Sequence, residues 1–375
     1  MIRALVSLIS VSAAGAAGLL AQTSVRTAVL FENYSFDSLL VIRSISELSV
    51  PVVINARLGQ AVDLTISGGY VRTDLKTRDP SQLGDQQLSG PVDTEIRLGY
   101  HLLPARLIVV ATGEIPSGRK TVALDQLAIL GALSSDIIGF SAANLGSGGN
   151  LGGGFVGAVP LGRWALGLGA TYRYSMSYQP IADRPDTTLQ PGGELRLRAG
   201  LEGPLARTTY LRVAGVFASR QKDRINQRTL HGVGNRFIGY LALNQGLGGN
   251  ASLTLYAFDV FRSDPQIEPT AAGAAILPRG NLFAFGGSLA LRLTDRTTLA
   301  PRFEYRSSAL AQDTANTTLR RAGESWRVGA ELRQDLSSAF SLVLQGSGVM
   351  GSVVQGASET GLAGYRFGAV VELRP

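Results

Sequence analysis

Pro191–Phe217 reads PGGELRLRAGLEGPLARTTYLRVAGVF. Leu195, Leu197, Ala199 and Leu201 alternate with Glu194, Arg196, Arg198, Gly200 and Glu202. A period of two belongs to a β-strand, whose successive side chains point to opposite faces. A turn at Gly203-Pro204-Leu205-Ala206 then hands over to a second alternating run. The strand shows hydrocarbon on one face and a ladder of mixed charges on the other. In a soluble sandwich that ladder would meet bulk water. In a transmembrane barrel the apolar face meets lipid, where a charge costs about 2–4 kcal/mol at the midplane, so the ladder must point inward.

The remainder of the chain favours the barrel. Hairpins of one style recur: about ten alternating residues, a tight turn, ten more, then a long polar connection. Seven are legible, with turns near Gly59-Gln60, Leu103-Pro104, Leu161-Gly162, Gly203-Pro204, Gly246–Gly249, Thr294-Asp295 and Leu336–Ser338. The long connections are Thr73–Pro91, Ile115–Gly149, Gln179–Gly192, Arg220–Gly232, Ser263–Arg279, Ala309–Gly323 and Gly351–Ser358. Short turns on one side and long loops on the other mark an outer-membrane barrel, with its short turns in the periplasm. An opening strand at Phe36–Glu47 and a closing one at Glu359–Leu373 bring the expected count to sixteen. Merging the opening strand with its neighbour would give fourteen. The expected fold is an all-β, antiparallel, up-and-down transmembrane barrel in the cell outer membrane, one domain over residues 22–375.

Alternation also assigns faces. Val62/Leu64/Ile66, Ile96/Leu98/Tyr100, Leu195/Leu197/Leu201, Leu289/Leu291/Leu293 and Trp326/Val328/Ala330/Leu332 should meet lipid. The expected lumen-lining set is Glu95, Arg97, Glu194, Arg196, Arg198, Glu202, Arg302, Glu304, Arg306, Arg327, Glu331 and Arg333. Tyr70, Tyr172, Tyr174, Tyr178, Tyr256, Phe258, Phe261, Phe303 and Tyr305 lie toward the long-loop ends, where an interfacial girdle belongs. Pro301 sits inside a strand paired on both sides, which calls for a bulge.

Composition narrows the chemistry. The 375 residues carry a net charge of +7, no cysteine and two histidines. Disulfides, thiolate catalysis and cysteine-type zinc sites are excluded, and a histidine-rich metal site or other cofactor is not expected. Lys and Arg are scattered rather than clustered, so no nucleic-acid surface is expected. Met1-Ile2-Arg3, the apolar run Ala4–Leu20 and the small residues at Ala21 read as a signal peptide over 1–21. The rival reading of that run is a membrane anchor.

Connection 115–149 is the longest. Within Thr121–Leu133, Leu124, Leu127, Ala128, Leu130 and Ala132 recur at helical spacing. Long connections inside a compact domain tend to be functional. The expectation is a partly helical loop that folds into the barrel and narrows it through Leu124, Leu127 and Leu130, against an external loop resting on the rim. Gly146–Gly154 is Gly-rich but lacks the Lys-Ser/Thr ending of a phosphate loop. Barrel enzymes use Ser–His or Asp–His pairs. His231, near Asp223 and Asn226, is on the right side for one, and His101 is not. No enzyme activity is expected.

The segment Val110-Ala111-Thr112-Gly113-Glu114-Ile115-Pro116-Ser117-Gly118-Arg119 resembles the strand-end Pro-Thr-Gly-Lys element of the MetA-pathway of phenol degradation family, with Ser117 and Arg119 departing from it. Leu48–Ile54 with Leu58-Gly59, and Ile137–Gly148, resemble the same group, which is similar to long-chain fatty-acid transporter barrels. The resemblance implies passive passage of small, often hydrophobic or aromatic molecules, and gives no catalytic residues. Expected partners are outer-membrane lipid, the barrel assembly machinery and an unidentified small solute. The chain ends Glu372-Leu373-Arg374-Pro375 rather than in the aromatic residue that the assembly machinery reads.

The functional expectation is an outer-membrane channel for small solutes. Similar numbers of acids and bases along the strands favour internal salt bridges, and a net basic lumen would prefer anions. A closed structural or adhesive barrel with its charges paired is the alternative.

Overall fold

The alternating segments pair into one antiparallel ring. The computed structural model describes residues 23–374, apart from 38–39, 82, 105, 143–144, 272–275, 312–316 and 356–357. The segment read as a signal peptide lies outside them. Sixteen strands close the barrel: β1 Thr23–Phe36, β2 Ile42–Leu58, β3 Val62–Thr77, β4 Gln86–Leu103, β5 Leu107–Ile115, β6 Asn150–Leu161, β7 Trp164–Ser175, β8 Glu194–Ala206, β9 Thr209–Arg220, β10 Arg236–Gly246, β11 Ala251–Arg262, β12 Gly280–Thr294, β13 Thr297–Ala311, β14 Leu319–Asp335, β15 Phe340–Gln355 and β16 Ser358–Leu373. Each pairs with its chain neighbour, and β1 closes on β16 from Val25↔Leu373 to Phe36↔Leu362. Closure leaves no edge strand with unpaired backbone groups, as spanning lipid demands.

Turns of two to four residues join the strands at one end, and connections at the other end are longer except for the short one between Gln355 and Ser358. The faces follow the alternation. Leu98, Leu197, Trp326, Val328 and Phe367 stand exposed on the outside, while Glu194, Ser347 and Val349 are buried inside.

Several boundaries differ from those read in the sequence. The opening strand is Thr23–Phe36, not Phe36–Glu47, because Glu32 pairs with Glu47 and Tyr34 with Ile45 across a connection at 37–41. The quoted stretch turns at 207–208. Gly203 and Pro204 stay in β8, opposite Leu211 and Tyr210. Gly203 faces outward against Trp164, where a Cβ would come within 2.6 Å of the indole. It is therefore a packing glycine and not a turn glycine. Three long connections shrink because the strands stay paired further than the alternation announced: β3 runs to Thr77, β13 to Ala311, and β15 to Gln355 opposite Ser358.

Pro301 needs no bulge. Ser288↔Arg302 and Leu291↔Leu299 share one register, so the β12–β13 ladder skips a step and resumes. Within the girdle set, Tyr70, Tyr172, Tyr174 and Phe303 are exposed on the outer face. Tyr256 and Phe258 share the parity of inward Arg262 and turn into the barrel, and the Tyr256 hydroxyl donates to Glu304 at 2.6 Å.

Candidate functional site

The interior is organised by connection 116–149. Its root is fixed by the segment singled out at 110–119. Ser117 Oγ lies 2.9 Å from Thr94 Oγ1, and the Gly118 and Ser147 amides donate to the two carboxylate oxygens of Asp93 at 2.8 and 2.7 Å. The Arg119 guanidinium donates to Gln126 and the Ser89 carbonyl. The chain then turns into the barrel and forms a 3-10 turn, Leu124–Gln126, followed by α1, Leu127–Leu133. The helical spacing was legible, but its buried face was not. Ile129 and Leu133 are buried, whereas Leu124 and Leu127 are exposed and Leu130 is half-buried.

Beyond α1 the loop crosses the lumen. β14 stands seven strands from β5 one way round the ring and eight from β6 the other way. At that far wall Ser325 donates to the Ile137 carbonyl at 3.0 Å, and Arg327 to that of Ile138 at 3.1 Å. Arg306 reaches the Asp136 carbonyl at 3.3 Å, and Arg366 the Gly139 carbonyl at 2.9 Å. On β1 and β2, Glu32 accepts from the Ser141 amide and hydroxyl, and Glu47 from the Ala142 amide at 3.0 Å. Gly139 has φ +60°, a region a side chain disfavours, and a Cβ there would strike Arg306.

The tip is also packed. Loop residues Val122, Ile129, Leu133, Ile137, Ile138, Phe140 and Leu145 join inward-facing Tyr34, Ile45, Val71, Leu75, Leu88, Val349 and Leu362 in one core. The Tyr34 and Phe140 rings meet edge to face at 5.2 Å. Each fully buried side chain of this size contributes about 1.5–3 kcal/mol before chain entropy is counted. Loop and wall therefore close the half of the interior bounded by β13–β16 and β1–β3.

Most charges in that half are paired. Glu304 accepts from Arg306 at 2.8 Å and Arg327 at 3.4 Å; Arg302 lies 3.7 Å from Glu331 and donates to Gln345 at 2.9 Å. Arg333 bridges Asp335 and Glu372, and Arg366 meets Glu32 at 2.5 Å.

The opposite half, along β4–β9, is open. One cavity of about 210 Å³ is lined by Glu95, Arg97, Thr112, Glu114, Thr171, Arg173, Glu194, Arg196 and Arg198. A second, of about 710 Å³, lies toward the short-turn end beside His101, Glu202 and Arg212. Val156 and Arg198 line both. Glu194, only 1% exposed, is shared by Arg196, Arg236 (2.7 Å) and Arg173 (3.9 Å), and Glu202 pairs with Arg212 at 2.7 Å. Of these partners, Arg173, Arg212 and Arg236 lie outside the lumen-lining set expected from the sequence. Glu32, Glu47, Asp93, Arg173, Arg236 and Arg366 were missed. Opposite signs at facing strand positions, as in Glu32↔Arg366, were the available signal.

Over the open half, the remaining long connections are knitted together. Leu124 N donates to Asp183 at 2.8 Å, and 189–190, 224–225 and 228–229 form a small sheet. Lys222 meets Glu268 at 3.2 Å. Hydrogen bonds from Thr270, reinforced by the Lys222 ammonium, hold the Glu268 carboxyl below the usual range, and burial raises the Tyr178 phenol. His231 Nδ1 accepts from the Glu268 amide, while Asp223 accepts from Arg220 and the Gly192 amide, so the Asp–His pair that a rim enzyme would use does not form. The histidine that meets an aspartate is His101, 2.6 Å from Asp63 at the short-turn end.

No family model matches the chain, and no curated protein does. Solved structures similar to it include a loop-deletion mutant of OmpT, an outer membrane protein of Vibrio cholerae (TM-score 0.45, 9% identity, 94% of this chain and 98% of that one). Two others are OpdQ of Pseudomonas aeruginosa (0.44, 10%, 94% and 98%) and OccAB3 of Acinetobacter baumannii (0.45, 7%, 93% and 99%). At these identities no residue role passes from them to this chain. Its own closed ring and apolar exterior define the class: a sixteen-stranded outer-membrane β-barrel whose outer face meets lipid.

Proposed function

We propose that this barrel is a channel for passive passage of small solutes, with 116–149 as a fixed constriction that leaves the β4–β9 wall as the path. The observation that carries this reading is the transverse loop. It is bonded to the far wall, yet two adjoining cavities remain along the near one. Sixteen strands can enclose an aqueous lumen. The resemblance of 110–119 to the MetA-pathway of phenol degradation family points to the same activity, and that segment is where the loop turns inward. Membership of that family, and any assembly through its machinery, remain part of the proposal.

Deleting Thr121–Leu133 should raise single-channel conductance in a planar bilayer. Heat-modifiable migration on a gel checks that the variant is folded. Unchanged conductance from folded protein would contradict the constriction. The second reading, a closed structural barrel, is favoured by the paired charges around Glu304. It expects no conductance from the wild type.

A further inference from the structure

We propose that Arg97 and Arg198 form a binding stage for small carboxylates midway along the open wall. As a transport stage, it rests on the channel reading above. Arg97 and Arg198 both line the cavity of about 210 Å³, and Arg198 also lines the larger one, so it stands where the two adjoin. A solute passing from one to the other meets it. Among the described residues neither has an ion pair or a side-chain hydrogen bond. Arg196 and Arg97 are the charged neighbours acting on Arg198, and both are of like sign.

The acids nearby are mostly committed. Glu194 serves Arg196, Arg236 and Arg173; Glu114 accepts from Asn150; Glu202 holds Arg212. Glu95 alone is left in the cavity against two free guanidinium groups. Two like charges facing a narrow wet space attract a counter-ion. The planar fork of Arg fits a carboxylate through two parallel hydrogen bonds, which a halide cannot use. Arg97 and Arg198 are both exposed to the lumen, so a bound anion keeps part of its hydration and can leave, as conduction requires.

The test has two readouts on the folded barrel. In a potassium chloride gradient, the reversal potential should give an anion-to-cation permeability ratio above about 3, falling toward about 1 in Arg97→Gln/Arg198→Gln. Trifluoroacetate, followed by fluorine NMR, should be broadened by the wild type and not by that double variant. Arg198→Lys should keep the ratio but lose much of the broadening, since it retains charge without the fork. A conducting pore whose ratio is at or below unity, or is unmoved by the double variant, overturns the proposal and leaves the channel reading standing. Silence from folded protein overturns the channel reading. Broadening that still depends on the two arginines would then keep the carboxylate site, and broadening that does not would remove it.

Discussion

On β15, Ser347 and Val349 point into the barrel and are 6% and 4% exposed; on β4 and β8, Arg97 and Arg198 also point inward and stand exposed. The strands are of one kind. What differs is what faces them. Around β1–β3 and β15–β16 the inward positions include Tyr34, Ile45, Val71, Leu75 and Leu362, which give the loop an apolar surface to dry. Along β6–β8 the inward positions are mostly small or charged, among them Gly152, Gly154, Gly167, Thr171, Arg173, Glu194, Arg198 and Glu202, which offer the loop little to bury against. One connection can therefore fill half a lumen and leave the other half wet.

The contrast can be broken by substitution. Glu194→Ala should have the largest effect, because it removes the one buried carboxylate shared by three arginines. Taking away one partner of a buried charge group costs about 3–5 kcal/mol, readable as a lowered urea midpoint for barrel unfolding. Leu133→Ala, in the packed half, should cost about 2–5 kcal/mol from lost burial and the cavity left behind, and should expose 116–149 to protease before the barrel unfolds. Ser325→Ala leaves the Ile137 carbonyl without its donor and should cost about 1–3 kcal/mol, seen as faster hydrogen exchange at the loop tip. Arg198→Gln should change stability by no more than about 0.5 kcal/mol, since the group is exposed and unpaired. An Arg198 effect as large as that of Leu133 would mean the two halves are packed alike.

Alternation alone carried the strand number and the faces, because a period of two admits one assignment once charge is barred from lipid. The opening strand was misplaced because Thr23–Phe36 follows directly on the apolar run Ala4–Leu20 in the sequence, and its alternation starts without a turn to announce it. The wall charges were legible as inward, but their partners were not. Pairing depends on register and stagger together, which set Arg173 directly opposite Glu194 on β7 and bring Arg236 to it across β9. The helical spacing in 121–133 announced a helix. Its buried side was set by Tyr34, Leu75 and Leu88, contributed from strands remote in sequence.

The chain has no cysteine, so single cysteines can be placed without background. Thr171→Cys faces the open cavity and Ser347→Cys faces the filled half. Their rates of reaction with a small charged thiol reagent in the folded barrel test the division of the lumen most directly. A transverse loop that dries one half predicts rapid labelling at 171 and protection at 347 until the barrel is denatured. Equal rates at the two positions would show that water reaches both halves alike and that the loop does not divide the lumen.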